Sequence, residues 1–289
     1  MRRINILTYI IISAAFCCCS TKESEETPID TTGYTYFNVD LESLSTGNSD
    51  YEAVWTKGTG IGVFGSECGV NEKYNLRQAD EDKRTALFYG PLVKGEVLAY
   101  TPYVENQMLS DGKLPLMLSQ TQQHLPQIPL HEHFISYCNM ALAVQDQSGV
   151  LAFRWPAGVL GVRFDFNEPI SVSSIILESG KPISGHFLVD SNCRTYATDN
   201  SLNRIELAFD GAVVSETAEG KVLFYFVMPA DIYEAGDLSI EVTDGNEPIH
   251  IKLPEVEIYR AGCGIIPVTE VKVGASLLPG FEKEDGFLE

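Results

Sequence analysis

The side chains whose arrangement could do chemistry first appear near the N-terminus. Cys17, Cys18 and Cys19 follow thirteen mostly apolar residues, 4–16, which in turn follow Arg2 and Arg3. The apolar run is short of the roughly 20 residues that a helix needs to cross a bilayer, and it has the length of a signal-peptide core. A basic pair, such a run and a small residue ahead of a cysteine resemble an export signal whose cysteine is diacylated. Cys19 is the expected acceptor, because Cys18 is small and Ser20 follows. The bulk of Phe16 three places earlier keeps Cys17 and Cys18 as alternatives. Two acyl chains would anchor durably, at about 0.8 kcal/mol per buried methylene.

Further along, the chemistry thins out. The histidines are His124, His131, His133, His186 and His250. His131-Glu132-His133 would place two imidazoles on one face of a strand, but no third ligand has a defined spacing, so no metal is expected. The glycines of Gly58-Thr59-Gly60-Ile61-Gly62 lack the Lys-Ser/Thr of a phosphate loop and read as turn residues. There is no Gly-x-Ser-x-Gly elbow and no His-Glu-x-x-His. Carboxylates are abundant, yet no sequence spacing defines a catalytic pair. The expectation is a non-enzymatic chain with no cofactor. Trp55, Trp155 and the 13 tyrosines could stack on sugar rings, although aromatic residues in strands more often fill a core. Cys68, Cys138, Cys193 and Cys263 lie 55 to 70 residues apart with no C-x-x-C pair. Outside the cytoplasm they could form two disulfides in three pairings, or stand as buried free thiols. A body this large needs no staples, which favours the thiols.

These residues need elements to hold them, and the elements are strands. Runs rich in Val, Ile, Phe and Tyr occur at 34–41, 60–64, 97–103, 151–155, 161–166, 173–178, 185–190, 204–209, 222–228, 238–243, 249–253 and 265–273. In the first of them either Tyr36 or Phe37 starts one face. Turn signals such as Ser110-Asp111-Gly112 and Asp244-Gly245-Asn246 recur every 8 to 15 residues. No stretch keeps a 3.6-residue apolar period over three turns. The pattern predicts β-sandwiches. Residues 105–135, with Pro115, Pro126 and Pro129, read as a surface excursion. The division expected is a signal peptide at 1–19, an acidic tether at 20–33, sandwich domains at 34–148 and 149–275, and an acidic tail at 276–289. The tether is too polar to offset its ordering entropy. It is either a spacer or, placed directly after an acylated cysteine, a surface-export signal.

Charge narrows the partners. The chain carries 20 Lys+Arg against 40 Asp+Glu. Loss of Arg2 and Arg3 with the signal leaves 18 basic residues and a net charge of −22. That excludes nucleic acid as an expected partner, since its binding rests on basic groups facing phosphates. It suits a soluble, self-repelling surface body.

Several segments, in order, resemble the Mfa-like fimbrillin family. Trp55 to Gly65, with Gly58, Gly60-Ile61-Gly62-Val63-Phe64, is similar to its "W-x-x-G-D-x-I-G-V-F" opening, with Thr59 where Asp is usual. Asn71-Glu72-Lys73-Tyr74 matches the following "N-x-x-Y", and Ala99-Tyr100-Thr101-Pro102-Tyr103 resembles the "a-Y-Y-P-Y" strand. Ser184-Gly185 lies in a similar hairpin, Phe224-Tyr225-Phe226-Val227-Met228-Pro229 resembles "f-x-f-v-l-P", and Ala261-Gly262 the "aG" before the last strand. The matches span about residues 51–273. The resemblance implies two tandem transthyretin-like β-sandwich domains in an outer-membrane, lipid-anchored fimbrial subunit (tip, anchor or accessory adhesin). Its implied partners are other fimbrial subunits, the membrane through the lipid, and a host protein or glycan. It also implies donor-strand exchange: an N-terminal plug strand, here Tyr34, Tyr36, Val39 and Leu41 within 34–41, is removed by proteolysis at a basic residue. The groove then takes a neighbour's strand. This chain departs from that pattern. No Arg or Lys stands between the plug and Trp55, the nearest being Lys22 and Lys57. That departure favours a tip or accessory adhesin or a stand-alone surface lipoprotein over a stalk subunit. The alternative reading is a surface glycan-binding lipoprotein serving nutrient uptake.

Overall fold

The alternation read at 34–41 is a strand in the computed structural model, β1 (Tyr34–Leu41). The residues described are 33–45, 50–51, 53–67, 69–79, 84–124, 128–138, 140–145, 148–165, 171–209, 213–214, 221–243 and 248–267. Cys17, Cys18, Cys19, Cys68, the expected tether up to residue 32 and the tail from 276 lie outside them. After β1 come β2 (Leu44–Ser45), β3 (Asp50–Tyr51), β4 (Gly60–Gly65), β5 (Asn71–Ala79), β6 (Thr85–Pro91), β7 (Val97–Thr101), β8 (Leu114–Leu118) and β9 (Thr121–Gln123). Helix α1 (Leu130–Tyr137), β10 (Ala141–Val144), β11 (Leu151–Phe153) and β12 (Ala157–Asp165) follow. Then come β13 (Ser171–Val172), β14 (Ser174–Ser179), β15 (Ser184–Val189), β16 (Thr195–Leu202), β17 (Arg204–Ala208), β18 (Val213–Val214) and β19 (Lys221–Pro229). The last are β20 (Ile232–Tyr233), β21 (Leu238–Thr243), β22 (Ile249–Lys252), β23 (Val256–Glu257) and β24 (Cys263–Pro267).

The fold is all-β, with sheets packed as sandwiches. One sheet has seven strands in the order β10-β7-β4-β5-β6-β1-β11. The others of three or more strands run β22-β21-β14-β17-β9, β19-β12-β24 and β16-β15-β8. Period-2 alternation sends one side chain in two to the interior. On β21 these are Leu238, Ile240 and Val242, and on β17 Ile205 and Leu207. They meet Leu160, Val162, Phe164, Phe224 and Phe226 of β12 and β19 in one buried cluster. A second cluster gathers Phe37, Val39 and Leu41 with Trp55, Ile61, Val63, Tyr74, Phe88, Phe153 and Trp155, and reaches Phe187, Val189 and Val227.

The segment 105–135 is not a surface excursion. Its Leu114, Leu116 and Leu118 are buried, and β8 pairs with β15 while β9 pairs in parallel with β17. Pro115 concealed this strand in the sequence. Among the described residues β8 is an edge strand and Pro115 is exposed on it, a place where a sheet tolerates proline. Ladders therefore join residues 114–123 to strands beyond 183, and β11 closes in parallel on β1.

Candidate functional site: the seat of strand β1

Phe37, Val39 and Leu41 point inward and are buried, whereas Tyr34 and Asn38 are exposed and Tyr36 and Asp40 half-exposed. Phe37, not Tyr36, thus starts the inward face. Of the four residues singled out in the sequence, Val39 and Leu41 face the core and Tyr34 and Tyr36 face solvent. The side-chain period of two fixes that split. The Phe37 ring lies 5.5 Å from that of Tyr74. Tyr74 in turn packs where Gly90 leaves room, since a Cβ on Gly90 would come within 2.5 Å of the ring, and its hydroxyl donates to the Pro91 carbonyl. Each inward side chain contributes roughly 1.5–3 kcal/mol of burial.

The two edges of β1 are held unequally. Along β6 the antiparallel register runs without interruption from Tyr34↔Pro91 to Asp40↔Thr85. Along β11 only Val39↔Leu151, Asp40↔Ala152 and Leu41↔Phe153 are paired. Among the described residues, then, the first part of β1 carries a sheet partner on one side only. Its C-terminal end is pinned. Glu42 N donates to the Phe153 carbonyl at 3.0 Å. The Glu42 carboxylate accepts from Trp155 N at 3.0 Å, and its carbonyl accepts from Trp155 Nε1 at 2.8 Å. Ser45 N donates to the Ala261 carbonyl at 2.7 Å. Trp55 roofs the same end, with Nε1 donating to the Arg84 carbonyl at 2.8 Å and its ring edge-on to Phe88 and Phe153. Trp55 and Trp155 are core residues with their indole N–H groups satisfied inside, so neither belongs to a sugar-stacking platform.

A second strand edge is sealed in a different manner. Strand β19 ends its sheet, and the main chain of Val227 faces away from β12. The fully buried Gln122 amide closes on it: Val227 N donates to Oε1 at 2.8 Å and Nε2 donates to the Val227 carbonyl at 2.7 Å. His133 gives a ring N–H to the Tyr225 carbonyl, two residues along, while its Nε2 has no partner. Burial pushes the His133 imidazole down to about 4, and lowers that of His124, which packs on Phe224. His131 and His133 lie on α1, not on a strand. Two residues apart on a helix they diverge by about 200°, so they do not form a shared metal face. Among the described residues no three His, Cys, Asp or Glu gather as ligands. Nothing in the sequence marked Gln122, because a glutamine in a polar run carries no signal of the main chain it will meet.

Cys138, Cys193 and Cys263 are free thiols. Burial pushes them up to about 12, 11 and 12, which makes them inert at neutral pH.

No family model and no curated protein sequence matches the chain. Solved structures do. A candidate cell adhesion protein of Bacteroides ovatus superposes with a TM-score of 0.51 at 13% identity, covering 82% of this chain and 92% of that one. A candidate cell adhesion protein of Bacteroides uniformis gives 0.44 at 14% identity, over 82% and 93%. The tip fimbrial protein Mfa3 of Porphyromonas gingivalis, with a C-terminal truncation, gives 0.40 at 11% identity, over 83% and 95%. The first likeness is one of fold.

Proposed function

We propose that this protein is a non-enzymatic, lipid-anchored surface subunit of the adhesin or fimbrial kind, and that β1 is an exchangeable strand through which it assembles. The observation that carries the reading is the seat of β1. An N-terminal strand lies inside a sheet, held by a main-chain ladder to β6 and by three inward side chains. A ladder of this sort accepts any strand with the right alternation, which is the physics of β-strand addition. Withdrawal of β1 would leave β6 and β11 with unpaired edges and a trough over Tyr74 and Phe88, a state that favours capture of a neighbour's strand. The fold shared with a candidate cell adhesion protein supports an adhesive role. Glu42 and its bonds to Trp155 close the far end of the seat, and the lack of any basic residue from 42 to 54 leaves a trypsin-like protease nothing to cut there. Release of β1 therefore falls to a protease of other specificity, and a tip or accessory position is favoured over a stalk.

The test is an electrophoretic comparison of outer-membrane material from the native cell, unboiled beside boiled and probed for this chain. A ladder that collapses to one band on boiling is the expected result. A single monomer band in both lanes would remove assembly from the account.

A further inference from the structure

Tyr34, Tyr36 and Tyr89 share the solvent face of the seven-stranded sheet. Tyr36 stands directly across from Tyr89, and Asn75 flanks Tyr89 on the other side. The ring centroids of Tyr34 and Tyr36 are 6.0 and 6.3 Å from that of Tyr89. The Arg77 guanidinium lies 5.4 Å over the Tyr36 ring, and its Nη1 donates to the Tyr36 hydroxyl at 3.2 Å. Asn38 and Asn75 are exposed beside the rings. One exposed aromatic residue is ordinary. Here exposed Tyr34 adjoins half-exposed Tyr36 and Tyr89, and the three, rimmed by amides and a guanidinium, form a surface patch of the type that marks a binding site.

The chemistry of the patch selects its ligand. The Tyr34 and Tyr89 rings, which Arg77 does not cover, have flat and weakly negative faces that suit the polarised C–H face of a pyranose, with Tyr36 held by Arg77 as the wall between them. The amides and phenol hydroxyls around them suit the sugar's equatorial hydroxyls, which donate and accept alike. A protein partner would have to bury Asn38 and Asn75 with matched hydrogen bonds in the middle of its contact. Among the described residues the cations beside the rings are engaged, Arg77 by Tyr36 and Arg84 by Asp40 at 3.0 Å, and the chain as a whole is at −20, which disfavours a polyanion. We infer that the Tyr34–Tyr36–Tyr89 face binds a neutral polysaccharide by ring stacking. The inference does not rest on strand exchange. It needs only that β1, which supplies two of the three rings, is seated.

The test is affinity electrophoresis of the full chain through native gels cast with a soluble β-glucan, an α-mannan or an arabinoxylan, beside a gel cast with polygalacturonate. Retardation in at least one neutral gel is expected. It should fall about tenfold in apparent affinity for Tyr36→Ala and Tyr89→Ala, and stay near wild type for Tyr89→Phe, which keeps the stacking face. Tyr259→Ala, an exposed tyrosine elsewhere, should not change it. Asn38→Glu leaves every ring and the core in place while crowding the face, and is expected to abolish retardation; it guards against loss of binding through unfolding. Retardation only in polygalacturonate, none in any neutral gel, or retardation unchanged in the Asn38→Glu and alanine variants would overturn the inference.

Discussion

Two strand edges in this molecule are covered by opposite means. The edge of β6 is covered by a strand, whose main chain supplies a continuous ladder while the side chains of Phe37, Val39 and Leu41 fix its depth. The edge of β19 is covered by side chains, with Gln122 and His133 each closing one set of outward main-chain groups. A ladder is indifferent to sequence beyond alternation, so another strand can replace it. A side-chain seal depends on residue identity, and one of its two residues titrates. A strand cover can be replaced by another strand of the same alternation; a side-chain seal cannot.

Removing the main element of each cover tells the two apart. Phe37→Ala takes the largest side chain from under β1 and should cost about 3–5 kcal/mol of stability in urea unfolding, by lost transfer and the cavity left. A cost well below that would mean that β1 hangs on its ladder alone. Gln122→Leu keeps the bulk but strands the Val227 N–H and C=O in the interior, and should cost about 2–4 kcal/mol. A neutral outcome would show that the seal at β19 is incidental. Acid should loosen that seal. The folded-state affinity of His133 for protons is depressed, so the unfolded chain binds protons first as pH falls. Stability is therefore full above about pH 6.5 and declines down to about pH 4, by on the order of 2–3 kcal/mol. His133→Phe should flatten that decline in a series of melts against pH. Asp40→Asn should have the smallest effect, below about 1 kcal/mol, because the pair with Arg84 is solvent-exposed.

How far the sequence reached differs between these regions for physical reasons. The alternation at 34–41 exposed β1 with its boundaries, because a half-buried strand has period two. Strand β5, on the far side of β6 and containing Lys73, Asn75, Arg77 and Gln78, carries no strand signal in the sequence, since its outer face is almost wholly polar. The same was true of β16, where none of Thr195 to Leu202 is buried. Leu114, Leu116 and Leu118 alternate cleanly, but Pro115 is tolerable only at an edge, and edge position is a property of the sheet order. The Gln122 clamp joins residues 105 apart, and such a contact is set by tertiary packing alone. Trp55 and Trp155 fill the core against Phe88, Phe134 and Phe153, the commoner place for an aromatic residue in a strand.

Locking β1 in its seat decides whether the strand must leave it for assembly. Asn38 and Leu87 are direct cross-strand partners, and their Cα atoms fall within disulfide range for such pairs. The measurement is the unboiled gel ladder of surface material from cells carrying Asn38→Cys with Leu87→Cys, oxidised and then after reduction during growth. The account expects no ladder while the strand is locked and a ladder once it is released. A ladder of equal length in both states would contradict it, since assembly would then proceed with β1 in place.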